Sequence, residues 1–112
     1  MSRCFADTSY YVALVNPDDE LHERASAFTL ASDGQVVTTA WVLNELANHL
    51  AKPPNRQLFL EMLSSMQNDR RVTIVPMAQE TFARGVTLYG QRLDKEWSVT
   101  DCISFLSWRS LD

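Results

Sequence analysis

Short apolar runs alternate with amphipathic stretches of helical length along this chain, and no other feature restricts its fold as much. Val72-Thr73-Ile74-Val75, closed by Pro76, is the clearest strand, because β-branched side chains suit a pleated surface and proline cannot extend a ladder. Arg3–Ala6 reads as a second buried strand and Gln35–Thr38 as a third, after a turn at Ser32-Asp33-Gly34. Between them the spacing predicts helices. One covers Tyr10–Val15 and breaks at Asn16-Pro17; the next starts at Asp18-Asp19 and runs to Leu30. Thr39 opens a helix with Val42, Leu43, Leu46 and Leu50 on its apolar side, and Pro53-Pro54 stops it. Arg56–Met66, Gln79–Leu93 and a last helix capped near Ser98 complete the series, with Gly85 and Gly90 weakening the second of these. Strands alternating with helices predict an α/β domain with a mostly parallel sheet. In such folds ligands bind beyond the carboxyl ends of the strands, where Asp7 would lie.

The 112 residues suit one small domain, 1–112, and 46% apolar content suffices for one core. No apolar stretch approaches a membrane span and the first residues lack a signal peptide's apolar centre, so a cytoplasmic protein without membrane association is expected. The formal charge of −4 has the wrong sign for holding nucleic acid by phosphate neutralisation alone. It is compatible with carboxylates that hold metal ions while local Arg or Lys side chains hold a backbone. Cys4 and Cys102 lack C-x-x-C spacing and sit in apolar surroundings, which predicts inert thiols rather than a disulfide or zinc site.

Three acids stand where such chemistry could be built, and each has a plainer role open to it. Asp7, between a strand and a helix, is placed either to cap the helix or to hold a hard cation from a rigid strand end. Glu45 shares a polar helix side with Asn44, Asn48 and His49, and is either solvated surface or a second carboxylate reaching the crevice. Asp101 stands third after Ser98, the arrangement of a capping box, and would also put a carboxylate near the strand ends. Asp94 falls in a loop.

The local sequences around these acids resemble a known family. Phe5-Ala6-Asp7-Thr8-Ser9-Tyr10-Tyr11-Val12-Ala13-Leu14 resembles the opening of PIN-domain proteins, in which a strand delivers an Asp followed by small hydroxyl residues. Asp18-Asp19-Glu20-Leu21-His22-Glu23-Arg24-Ala25 is similar to the family's next helix, and Thr38-Thr39-Ala40-Trp41-Val42-Leu43-Asn44-Glu45-Leu46 to the segment carrying its central Glu. Leu93–Phe105, containing Trp97-Ser98-Val99-Thr100-Asp101, resembles the third signature. The resemblance implies a three-layer α/β/α sandwich and a divalent-metal-dependent endoribonuclease, the toxin of a toxin–antitoxin pair. It implies that Asp7, Glu45 and Asp101 form the catalytic, metal-binding cluster for Mg²⁺ or Mn²⁺, with Thr8 or Ser9 supporting and Asp94 at most an outer contributor. RNA is the implied substrate, and an antitoxin the implied partner.

The chain departs from the family pattern at its end. PIN domains continue past this helix into another strand with a fourth acidic residue, whereas here the sequence ends at Trp108-Arg109-Ser110-Leu111-Asp112, and Asp112 follows Asp101 too closely to be that residue. The expectation is therefore a sheet whose last strands are missing and whose open edge favours a homodimer. A non-catalytic PIN-like module that binds RNA or protein is the alternative. An aspartyl-phosphate phosphatase also places an Asp after its first strand, but it requires a second Asp two residues on, where Ser9 stands. Trp41 and Trp97, close in sequence to the acids, are candidates for stacking on unpaired bases or for partly buried packing.

Overall fold

The runs expected as strands pair in parallel and in chain order. The computed structural model of the protein describes residues 3–31 and 34–109, and among them the sheet has three strands. Strand β1 (Arg3–Phe5) pairs with β2 (Gln35–Thr39), and β2 pairs with β3 (Val72–Val75). The register sets Cys4 beside Val36 and Phe5 beside Val37. Because side chains alternate along a strand, Cys4, Val36 and Thr38 share one face while Phe5 and Val37 share the other. Parallel neighbours require long crossovers, and helices supply them. These are α1 (Thr8–Val15), α2 (His22–Ala31), α3 (Ala40–His49), α4 (Asn55–Gln67), α5 (Gln79–Gln91) and α6 (Val99–Arg109).

Helices cover both faces of the sheet, which gives the three-layer α/β arrangement. On the Val36 face, Ala6, Tyr11, Val42, Leu46 and Leu50 form a buried cluster, closed by Phe59, Met62 and Met66 of α4. On the other, Cys102, Ile103 and Ser107 of α6 are buried, and Trp108 meets Phe5 edge-on with centroids 6.3 Å apart. Helix α5 lies against α6 at Gly85, where a Cβ would run into the Ile103 side chain. That close approach explains a glycine that weakens a helix by roughly 1 kcal/mol relative to alanine. Both cysteines are free, and burial pushes both thiols above their ordinary pKa, with the Asp101 charge adding to the effect at Cys102.

The second helix is a correction. It begins at His22, not at Asp18-Asp19. The Asn16 side chain accepts from the Asp18 N–H at 3.0 Å, and the Asp19 side chain accepts from the Leu21 N–H at 2.8 Å. Short polar side chains that take backbone donors in this way hold a turn in place of a helix. His22 then ties α2 to α1, its Nδ1 lying 2.7 Å from the Ala13 carbonyl oxygen. Ser32 and Asp33 of the expected turn, and Asp112, lie outside the described residues. Among the described residues no strand follows α6, and no helix is long and apolar enough to cross a membrane.

Candidate active site

Three helices begin where the sheet's strands end or pack, and each brings an acid to the same place. Asp7 follows β1 and caps α1, its Oδ1 accepting the Tyr10 N–H at 3.0 Å. Thr39, the last residue of β2, caps α3 by accepting the Val42 N–H at 3.1 Å, and Glu45 projects from that helix. Ser98 and Asp101 complete the reciprocal cap expected for α6: the Ser98 N–H donates to Asp101 Oδ2 and the Asp101 N–H donates to Ser98 Oγ, both at 3.0 Å. The plain roles of Asp7 and Asp101 are thus real, and they coexist with a shared location.

That location is a cleft of about 520 Å³ lined by Asp7, Thr8, Ser9, Glu45 and Asp101. Asp7 and Asp101 also line a smaller depression of about 210 Å³ with Phe5 and Ser104. Glu45 is held from α1, because Thr8 Oγ1 donates to its Oε2 at 2.9 Å. Asp7 is exposed, Glu45 half-buried and Asp101 exposed, so all three carboxylates stay in reach of solvent.

Asp19, Glu20 and His49 face the same cleft. Asp19 and Glu20 read as the acidic first turn of a helix, a reading that the turn at Asn16 overrides. His49 is on the polar helix side expected for it, four residues after Glu45, and such positions share a face. With Asp7, Glu45, Asp101, Asp19 and Glu20, the described lining holds five carboxylates and no Lys or Arg. A cavity of one sign and low-dielectric walls concentrates the opposite charge, here cations.

Asp94 stands apart from the cleft lining. Its carboxylate accepts two hydrogen bonds from Arg92, each 3.2 Å, which hold its pKa below the usual carboxylate range, and Lys95 lies 4.0 Å away. The indoles are also engaged: Trp41 stacks on Phe82 with centroids 5.7 Å apart, and Arg92 and Lys95 sit over the Trp97 ring at 5.3 and 5.6 Å.

The donors suit a hard cation, which prefers carboxylate and hydroxyl oxygen to thiol or imidazole. Among the described residues, however, no three His, Cys, Asp or Glu side chains are gathered tightly enough to grip a metal ion as they stand. Asp7 and Asp101 turn back onto their own helix caps, and Thr8 holds Glu45 against α1.

A family profile for the PIN domain matches residues 4–104. The chain belongs to the PIN-domain family. Among solved structures, this PIN domain is similar to VapC20 of Mycobacterium tuberculosis, described as a toxin that cleaves the sarcin–ricin loop. The TM-score is 0.83 at 20% identity, covering 98% of this chain and 83% of that one. At that identity the likeness establishes a common fold. No curated protein gives a significant sequence match.

Proposed function

We propose that this PIN domain is a divalent-metal-dependent endoribonuclease and the toxin of a toxin–antitoxin pair. The observation that carries the proposal is the cleft at the strand ends onto which Asp7, Glu45 and Asp101, distant in sequence, all open. Asp7 and Asp101 are the primary ligands for Mg²⁺ or Mn²⁺, and Glu45 either adds a ligand or orients the attacking water. Thr8 fixes Glu45, and Ser9 supplies a further hydroxyl on the cleft wall. A dication bound there lowers the pKa of its water and offsets the charge that builds on phosphate oxygens. Without a cation these carboxylates would repel a phosphodiester, so metal binding and substrate entry are one requirement. Because the described lining carries no Lys or Arg, the RNA backbone must be held by basic residues outside it, among which Arg92 and Lys95 stand just ahead of Ser98 in the sequence. An antitoxin that inserts a basic side chain among the acids would occupy the cation's place and silence the site.

Cleavage of RNA in Mg²⁺, its arrest by EDTA, and its loss on Asp7→Asn are the outcomes expected. Asparagine keeps the cap of α1, so the fold survives and the roughly 100-fold or greater loss reads the site alone. Retained cleavage in that variant would remove Asp7 from the mechanism. The ungathered carboxylates favour one other reading, a PIN-like module that binds RNA or protein without cutting it. A ligand that binds only the folded state raises the melting temperature, by an amount equivalent to about 2.7 kcal/mol at 100 times its dissociation constant. Mg²⁺ should do this to the enzyme, and a melting temperature indifferent to Mg²⁺ would favour the non-catalytic module.

A further inference from the structure

The two indoles that stand close to the acids in sequence differ in what they leave free. Trp41 lies nearly flat on Phe82, with ring centroids 5.7 Å apart and an interplanar angle of 25°, so its face already has an aromatic partner. Trp97 is held by cations instead. The Arg92 guanidinium is 5.3 Å and the Lys95 ammonium 5.6 Å from its ring centroid, and the residue remains 42% exposed. Two cations attracted to one ring fix its orientation. A flat apolar surface fixed before a ligand arrives loses little freedom on binding. Its neighbour Ser98 lines the acidic cleft together with Thr100 and Asp101. Consecutive α-carbons are about 3.8 Å apart, so the backbone of Trp97 starts at the rim of the cleft.

We propose that Trp97 is a base-binding subsite: the base of an unpaired nucleotide flanking the scissile phosphate stacks on its indole, with Arg92 and Lys95 beside that nucleotide's phosphates. The subsite rests on the reading of the cleft as a ribonuclease site and adds to it a requirement for unpaired RNA at the cut. The charges of the turn favour a stacking role over phosphate capture alone. Arg92 and Lys95 are offset by Asp94 and Glu96, and Arg92 donates two hydrogen bonds of 3.2 Å to Asp94. What the turn adds to its cations is the face of the indole. A base inside a duplex is already stacked and must be displaced before it can reach an aromatic side chain, whereas an unpaired base is free to do so. Every base has a π face, so such a subsite selects for strand state and not for sequence.

Rapid mixing of the full chain with a short oligouridylate in Mg²⁺, followed by tryptophan fluorescence before any turnover, tests the subsite. Quenching is expected for the wild type. Trp97→Phe should lose it while keeping most of the affinity, because a ring remains for the base. Trp97→Ala should bind about 5- to 150-fold more weakly, the range for removing one base–aromatic stack. Its affinity for the same oligomer paired with oligoadenylate should be unchanged, and so should the salt dependence of oligouridylate binding, because stacking releases no counterions. Full affinity in Trp97→Ala, quenching retained in Trp97→Phe, or equal losses for paired and unpaired RNA would each overturn the subsite. In cleavage, Trp97→Ala should raise KM for unpaired RNA and leave kcat in place, the signature of lost uniform binding. RNA that quenches Trp97 and is never cut would sink the nuclease reading and leave the subsite standing. RNA cut by Trp97→Ala with the wild-type KM would do the reverse.

Discussion

Helix α1 separates two cavities of opposite character. Thr8, Ser9 and Val12 line the acidic cleft, whereas Tyr10, Tyr11 and Leu14 line an apolar cavity of about 280 Å³ closed by Phe28, Met62 and Met66. On the cleft side, Asp7 caps its own helix while the Thr8 hydroxyl reaches across to Glu45 of α3, beside solvent. On the cavity side, Tyr11 and Thr38 are buried. Tyr11 is 5% exposed and lies close to Thr38 of β2, whose Oγ1 donates to the Ala6 carbonyl at 2.8 Å. Among the described residues, the carboxylate in that cavity's wall is Asp69, which is engaged by Arg71 in hydrogen bonds of 3.1 and 3.2 Å and is not poised for chemistry. One helix thus presents reactive groups to one side and structural groups to the other, and substitutions on its two sides should have separable effects.

The largest effect should come from the structural side. Tyr11→Ala removes a buried ring from the central cluster and should cost about 3–5 kcal/mol, the usual range for truncating a core aromatic. Denaturant titration measures it. The fraction that remains folded should still bind Mg²⁺ at the cleft, because Tyr11 does not line it. Loss of metal response in that folded fraction would break the separation between the two sides.

Thr8→Ala tests the opposite side. Freeing Glu45 from its hydroxyl partner should reduce cleavage by roughly 10–100-fold, the range for groups that orient a metal-site residue, with little change in melting temperature. A stability loss as large as that of Tyr11→Ala would show that α1 is not divided as described.

How much of this division could be read from the amino-acid order follows from the same contrast. The strand ends, the caps at Asp7, Thr39 and Ser98, and the acids near them were legible because capping is a local interaction written within four residues. Asp19 and Glu20 were not legible as cleft residues, because their place depends on the turn that Asn16 nucleates and on how α2 then packs on α1. The apolar cavity was equally hidden. Tyr10, Phe28 and Met62 belong to three different helices, and only tertiary packing joins them. Gly85 looked like a weakness in a helix until its contact with Ile103 supplied the reason.

Tyr11→Phe sharpens the comparison at smaller scale. It keeps the ring and removes the hydroxyl, for an expected loss of about 1 kcal/mol. Burial, the largest cause, and the neighbouring Tyr10 raise the Tyr11 pKa well above its ordinary value of 10.0. A raised folded-state pKa means that the fold holds its proton where the unfolded chain releases it. Stability should therefore be unaffected below pH 10 and should fall as pH rises above it. Melting temperatures across that window should fall more steeply for the wild type than for Tyr11→Phe. Parallel curves would assign the alkaline loss to other groups.

Asp94→Asn should have the smallest effect, and its smallness is informative. Asp94, a loop acid in the sequence and by the family resemblance at most an outer contributor to the acidic cluster, accepts hydrogen bonds from Arg92 on an exposed turn. The Arg92 hydrogen bonds lower its pKa, so whatever stability the pair adds is present above the ordinary carboxylate range and lost as pH falls through the depressed value. Both partners are solvent-exposed and salt screens such pairs, so the melting temperature should hardly change at moderate ionic strength. Mg²⁺ affinity should also be unchanged, because the cleft does not include this carboxylate. What can change is RNA binding. With Asp94 neutralised, Arg92 and Lys95 beside the Trp97 ring carry net positive charge just ahead of Ser98, and affinity for RNA should rise slightly and fall more steeply with salt. A loss of Mg²⁺ affinity in Asp94→Asn would instead return Asp94 to the acidic cluster and move the boundary of the cleft toward the α5–α6 turn.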